Sequence, residues 1–105
     1  MTDQFDQLLG AIVERRSGDP ATSYVARLTA KGRAKIAQKL GEEAVEVVIA
    51  AVTDDRAGIV SESADLLFHL GVLLADAGLS FDDVRAELAR REGISGIVEK
   101  AKRAT

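Results

Sequence analysis

Residues 56 to 76 are the most constraining segment of the sequence, because apolar side chains point in nearly every direction around a helix there. At roughly 100° per residue, one narrow polar stripe remains, and it consists of Glu62, Asp65, His69 and Asp76. A helix that is apolar almost all round is usually buried. We therefore expect this stripe to face protein or an enclosed cavity, and we expect the chain to need a partner surface.

The remaining sequence also favours helices. Of its 105 residues, 47% are hydrophobic, 30% are charged and one is proline, a mixture rich in helix formers. Helical spacing, caps and glycine breaks predict helices at residues 5 to 13 behind Thr2 or Asp3, 24 to 29, 32 to 52, 56 to 76, from 81 behind Ser80, and from 95. We expect an all-α fold, a four- to five-helix bundle completed by homodimerisation, in a single domain of residues 1 to 105.

Charge and composition disfavour several classes of partner. The formal charge of -3 argues against nucleic-acid binding. The absence of cysteine argues against disulfides and Cys-ligated zinc. The N-terminal segment carries acids where a secretory signal carries bases, and we expect that no apolar run approaches the ~20 residues of a membrane span. The expected location is cytoplasmic, with no membrane partner.

Carboxylates concentrate in the two long helical segments. Around the helix of residues 32 to 52, Glu43 lies at the edge of an apolar face formed by Ile36, Leu40, Ala44, Val47, Val48 and Ala51. If the two segments form a hairpin about a turn near Asp54 and Asp55, equal rise per residue places Glu46 level with Glu62, and Glu43 level with Asp65. Two acid pairs at i, i+3 spacing would then converge into a cluster of four carboxylates.

Such a cluster needs a compensating charge, because like charges a few ångströms apart in a low dielectric force protonation. An all-oxygen donor set without cysteine indicates a hard divalent cation, of which Mg²⁺ also binds substrate phosphates. Lys39 and Lys35 lie one and two turns, respectively, before the glutamates on the same side, where they can receive phosphate groups. The sequence thus predicts a Mg²⁺ site with phosphate-binding lysines.

Three residues near this cluster have other interpretations. Glu42 fits a solvated helix face better than ligation, and Lys39 can pair with Glu42 or Glu43 at i+3 or i+4. His69 is better explained as a core residue, or as a residue beside the metal ligands that donates its ring proton to Asp65, than as a direct metal ligand.

The motifs in these segments resemble a known family. GRAKIAQKLGEEAVEVVIAA followed by ESADLLFHLGVLL is similar to phosphoribosyl-ATP pyrophosphatases, within the all-α nucleoside triphosphate pyrophosphohydrolase superfamily. The matching patterns are E-E-x-x-E with E-x-x-D, K-x-x-x-K-x-G-E-E from Lys35, D-L-L-[FY]-H-L from Asp65, G-x-S-G-x-x-E-K from Gly93, and the segment SYVARL. Phe68 stands where the family often has Tyr.

This resemblance implies a magnesium-dependent hydrolase of histidine biosynthesis that converts phosphoribosyl-ATP to phosphoribosyl-AMP and pyrophosphate. It also implies a homodimer with sites near or between subunits. Carried over by motif, Glu43, Glu46, Glu62 and Asp65 are the expected metal ligands and catalytic residues, with Glu42 just outside them.

Two further functions fit parts of the sequence. A housekeeping pyrophosphohydrolase for noncanonical or deoxynucleoside triphosphates would share the metal chemistry. A non-enzymatic helical dimerisation module would explain the apolar segment but not the level acid pairs. A di-iron bundle would need two E-x-x-H motifs, whereas the chain has one histidine.

Overall fold

The computed structural model describes residues 3 to 104, and within that range the chain is entirely helix and loop, which confirms the all-α expectation. The helices are α1 (Gln4–Arg15), α2 (Tyr24–Lys31), α3 (Arg33–Val52), α4 (Arg56–Asp76), α5 (Phe81–Arg90) and α6 (Gly96–Ala104). The bounds of α4 are those predicted, and α2 continues two residues beyond its predicted end at Thr29.

Short-range hydrogen bonds explain where several helices begin. The Asp3 carboxylate accepts a hydrogen bond from the Asp6 N–H at 3.0 Å, and the Ser23 hydroxyl accepts one from the Ala26 N–H at 3.1 Å. Asp83 accepts from the backbone N–H of Ser80 at 2.8 Å, as the predicted capping signal requires. The alternative cap Thr2 lies outside the described residues.

Two tight turns set the directions of the long helices. Gly32 has φ +97° between α2 and α3, a value that glycine adopts readily. Asp54 has φ +53°, and the Asp55 carboxylate accepts from the Gly58 N–H at 2.9 Å to start α4. The predicted α3–α4 hairpin therefore forms, with its turn at the expected acids.

The hydrophobic core lies around the C-terminal half of α4. Val72 and Ala75 of α4 pack there with buried residues of α1, α2 and α3, namely Ile12, Val25, Leu28 and Ile36. The expectation that the whole of α4 is buried is wrong for this chain, since Val60 near its N-terminus is 72% exposed. The first two helices cover only the later turns, so the early turns of α4 pack mainly against α3.

A second apolar face on α3 remains uncovered. Val45, Val48, Ile49 and Val52 follow i, i+3, i+4, i+7 spacing and are each about half exposed or more. Val48, predicted to pack within the chain, is 58% exposed. Ile36 and Ala50, on the other side of the same helix, are buried. Thus α3 is apolar on two opposite sides, and its own chain covers one.

The helix α4 is long and apolar enough to cross a membrane by length and composition alone, contrary to the sequence expectation that no run approaches that length. Such a helix is weak evidence for a membrane span. It carries Glu62 and Asp65 in its middle turns, where a bilayer would make charge costly. It also packs along α3, as a core helix of a helical bundle does.

Ion pairs and aromatic contacts fix α5 on α1. The Arg85 guanidinium donates to Asp3 and Asp6 of the N-terminal segment, with N···O distances from 2.6 to 2.8 Å. The rings of Phe5 and Phe81 lie 5.5 Å apart between centroids. By contrast, Ile97 of α6 is 85% exposed, so α6 does not bury this apolar side chain within the chain.

Candidate metal centre

The α3–α4 hairpin brings three of the predicted acids together. One carboxylate oxygen each from Glu43, Glu62 and Asp65 lies within 4.8 Å of the others. Glu43 comes two turns after the buried Ile36 and two turns before the buried Ala50, so it shares the side of α3 that faces α4. Glu62 and Asp65 are one turn apart on α4 and reach the same point from the opposite side.

Electrostatic repulsion within this triad is visible at Glu62. Burial raises the pKa of its carboxyl, and a hydrogen bond with Glu43 and the charges of Asp65, Glu43 and Glu46 raise that pKa further. The fully charged triad is thus unfavourable without a neutralising partner. A proton shared between carboxyls, or a bound cation, relieves this repulsion.

Glu46, the fourth predicted ligand, is not a member of the triad in the structure. One oxygen each of Glu43, Glu62 and Asp65 forms the 4.8 Å group, and Glu46 lies outside it. Three residues advance a helix by roughly 300°, so Glu46 projects about 60° away from Glu43, toward solvent. The Glu46 side chain is exposed, but its charge still raises the pKa of Glu62. Glu46 is therefore a neighbour of the triad.

The predicted phosphate-binding lysines lie on the same helix as Glu43. Lys39 Nζ donates to Glu42 at 2.9 Å, which confirms the pairing foreseen at i+3 spacing, and Gln38 donates to the other Glu42 oxygen at 2.9 Å. These bonds lower the pKa of Glu42, and the Glu42 carboxylate raises the pKa of Lys39. Lys35 lies half-buried one turn earlier. The Lys39–Glu42 pair is partly exposed, so it can open at small cost.

His69 is buried, at 6% exposure, and both of its ring nitrogens are engaged. Nδ1 lies 2.8 Å from the backbone carbonyl oxygen of Asp65, and Nε2 lies 2.8 Å from the hydroxyl of Tyr24. A carbonyl can only accept, so Nδ1 carries the proton, and in the neutral ring Nε2 accepts from Tyr24. The prediction that Asp65 accepts this proton is confirmed, with the backbone carbonyl oxygen as the acceptor, which leaves the Asp65 carboxylate for the triad.

Tyr24 is a site residue that the sequence did not single out. Its ring stacks on Phe68 at a centroid distance of 6.1 Å, and its hydroxyl reaches His69. Burial raises the pKa of its hydroxyl, the nearby carboxylates raise it further, and Lys39 opposes them. The available signals were the family-like segment SYVARL and the position of the chain's single tyrosine after the capping residue Ser23, and neither reveals a partner 45 residues away.

Comparison with known proteins agrees with this arrangement. The family model described as phosphoribosyl-ATP pyrophosphohydrolase matches residues 4–92. A phosphoribosyl-ATP pyrophosphatase from Rhizorhabdus wittichii is 66% identical over 103 residues, covering 98% of this chain and 97% of the relative. Proteins of the same name from Novosphingobium aromaticivorans and Zymomonas mobilis are 62% and 60% identical, covering 92% and 88% of this chain and 91% and 86% of theirs. The resemblance inferred from the motifs is confirmed, and the chain belongs to the phosphoribosyl-ATP pyrophosphohydrolase family.

Proposed function

We propose that the chain hydrolyses phosphoribosyl-ATP to phosphoribosyl-AMP and pyrophosphate in an early step of L-histidine biosynthesis. The observation that carries this proposal is the convergence of Glu43, Glu62 and Asp65 in a chain of this family. The proposal treats residues 1 to 105 as a single catalytic domain.

The donor set of the triad fits Mg²⁺. All three groups are carboxylates, their oxygens lie within 4.8 Å of one another, and the raised pKa of Glu62 shows that the site disfavours its own negative charge. Hard oxygen donors of this kind suit Mg²⁺, which typically keeps several waters and adds substrate phosphate oxygens. When bound there, Mg²⁺ supplies neutralisation of phosphate charge and acidification of a coordinated water.

Residues around the triad take complementary roles in this proposal. Glu43, Glu62 and Asp65 would hold the ion, with Glu46 as the fourth ligand. Lys39 exchanges its bond with Glu42 for one with a phosphate oxygen, and Lys35 contacts the same phosphate chain. His69 does not ligate the ion, because hydrogen bonds already occupy both of its nitrogens.

The reaction is a hydrolysis of the bond between the α- and β-phosphates. Water forms a new oxygen–phosphorus bond as the anhydride bond breaks, and one carboxylate of the cluster accepts the proton that water loses. Pyrophosphate leaves with its negative charge compensated by the lysines, and a bound Mg²⁺ would add to this compensation. Proximity of base, water and phosphate supplies the orientation that this displacement needs.

The proposal includes a cytoplasmic homodimer that binds neither nucleic acid nor a membrane. The uncovered apolar face of α3 supports the dimer, because a stripe from Val45 to Val52 exposes several large apolar side chains in succession. The net charge of -3 gives no basis for binding a polyanion.

Pyrophosphate release from phosphoribosyl-ATP, measured beside ATP and dCTP with and without Mg²⁺, tests the proposal. We expect metal-dependent release from phosphoribosyl-ATP and little from the simple triphosphates. Preferential turnover of ATP or dCTP would support a housekeeping triphosphate pyrophosphohydrolase instead. No turnover, together with no heat of Mg²⁺ or nucleotide binding, would support a dimerisation module.

Paired variants connect that activity to the triad. Glu62→Gln should lower kcat/KM at least about a hundredfold, because a neutral amide replaces a charged carboxylate that would hold the metal ion. Glu46→Gln should also abolish magnesium-dependent release while leaving the fold largely intact. Glu14→Gln makes the same chemical change on the exposed surface of α1 and should retain activity. Equal activity of Glu62→Gln and Glu14→Gln would remove the triad from the mechanism.

A further inference from the structure

A cavity of about 280 Å³ lies beside Tyr24, lined by Arg15, Thr22, Ser23, Tyr24, Val25 and Phe68. The last turn of α1, the loop before α2, the first turn of α2 and the middle of α4 form its walls. We propose that this cavity is the subsite for the phosphoribosyl group of the substrate, the part that distinguishes phosphoribosyl-ATP from ATP. This inference rests on the proposed function.

The lining of the cavity suits a sugar phosphate. Arg15 supplies a guanidinium that can bind two phosphate oxygens at once. In the part of the chain that the structure describes, no carboxylate pairs with Arg15, so its charge is available to a ligand. The Ser23 hydroxyl accepts from the Ala26 N–H and keeps its own proton for a ligand, whereas the Thr22 hydroxyl donates to the Asp19 carbonyl oxygen. The rings of Tyr24 and Phe68 give an apolar wall for the sugar carbons.

Tyr24 connects the cavity to the metal centre. Its ring lines the cavity while its hydroxyl lies 2.8 Å from His69 Nε2, and His69 Nδ1 lies 2.8 Å from the carbonyl oxygen of Asp65. Tyr24 and His69 therefore connect the cavity to Asp65, which carries a triad carboxylate. A substrate with its triphosphate at the triad can place its other end across Tyr24.

The size and charge of the cavity and of the triad determine which end of the substrate binds at each. Pockets for whole drug-sized ligands measure roughly 300 to 1,000 Å³, so a cavity of about 280 Å³ suits a fragment such as a sugar phosphate. The triad repels a phosphate that arrives without a cation, whereas the cavity offers Arg15 and no acid among its lining residues. The phosphate monoester therefore belongs in the cavity, and the triphosphate belongs at the triad.

Arg15→Gln tests the assignment, with Lys31→Gln as the matched control. Each substitution removes one exposed positive charge at a helix end, Arg15 in α1 and Lys31 in α2. Only Arg15 of the two lines the cavity. We expect Arg15→Gln to raise KM for phosphoribosyl-ATP about tenfold, with kcat and the residual turnover of ATP nearly unchanged. Lys31→Gln should leave all three quantities unchanged. Identical behaviour of the two variants, or an equal loss for ATP and phosphoribosyl-ATP, would overturn the assignment.

Direct binding of ribose 5-phosphate separates this proposal from the proposed function. Titrated into the whole chain, it should shift the amide resonances of Thr22, Ser23 and Val25, and Arg15→Gln should abolish these shifts. Shifts caused by adenosine but not by ribose 5-phosphate would assign the cavity to the base and overturn the proposal. If the wild-type chain does not turn over phosphoribosyl-ATP yet binds ribose 5-phosphate there, the proposed function fails while the sugar-phosphate site stands.

Discussion

Gly71 shows how closely single residues of α4 and α1 approach each other. A Cβ atom built on Gly71 would lie 2.8 Å from Cδ1 of Ile12 and 3.6 Å from the ring of Phe81. Ile12 is 1% exposed, so it has little room to move aside. Glycine inside a helix costs about 1 kcal/mol of stability relative to alanine. At position 71, glycine allows α1 and α4 to pack more closely than a larger residue would.

We predict that Gly71→Ala lowers the free energy of unfolding by about 1 kcal/mol. Overpacking typically costs about 1 to 3 kcal/mol, and the gain in helix propensity of up to about 1 kcal/mol offsets part of it. In an Ile12→Val background the clashing Cδ1 atom is absent, so adding Gly71→Ala should then be neutral or stabilising. Urea denaturation of the four chains measures this coupling. Equal effects of Gly71→Ala in both backgrounds would contradict the packing explanation.

The residues of the candidate site differ in how far the sequence could predict them. Glu43, Glu62 and Asp65 lie on two helices joined by a short turn, so helical rise alone brings them to similar heights. The rotation of each helix decides which acids converge, and rise does not determine that rotation, so the sequence did not show that Glu46 lies outside the triad. Tyr24 reaches His69 through the packing of α2 on α4, which no local pattern specifies.

Helix α5 illustrates how side chains stabilise the end of an element. Glu87 accepts hydrogen bonds from Arg90 and Arg91, one turn later, at 2.6 and 3.0 Å. These bonds, first with Arg90 and then with Arg91, lower the pKa of Glu87 from its ordinary 4.5 to about 2. The charged form of Glu87 therefore stabilises the last turn of α5.

We predict a distinct acid sensitivity at this helix end. Because the folded pKa is lower than the unfolded one, the stabilisation is present above pH 4.5 and is lost as the pH falls toward about 2. Glu87→Gln should remove that part of the pH dependence of Tm, whereas Glu92→Gln, an exposed control, should retain it. Carboxyl NMR measures the same effect directly. A Glu87 titration midpoint near its ordinary value would contradict the role of the two arginines.

Element positions were largely predictable because the signals that start and stop helices are local. Asp3, Ser23 and Asp55 each bond to a backbone N–H three residues later. Burial was less predictable, because it depends on which elements cover a helix. The early turns of α4 looked buried from composition, but α1 and α2 lie over its later turns.

At the scale of the whole molecule, α3 has one apolar face more than its own chain can cover. Buried Ile36 and Ala50 lie on the side toward α4, and the stripe of Val45, Val48, Ile49 and Val52 lies opposite. Glu43 lies on the side toward α4, and the exposed Glu46 projects about 60° away from it. A second copy packed on the stripe would bury these apolar side chains on the side of α3 that faces away from the triad.

Val48→Glu is predicted to convert the proposed homodimer into monomers. Val48 is 58% exposed in the middle of the stripe, and burying an unpaired carboxylate there should raise the dimer dissociation constant at least about tenfold. Val13→Glu makes the same change at a residue that is 53% exposed on α1, outside the stripe, and should remain dimeric. Sedimentation velocity over a concentration series distinguishes the two species. A monomeric wild-type chain at tens of micromolar, or a dimeric Val48→Glu, would show that this face is not the subunit interface.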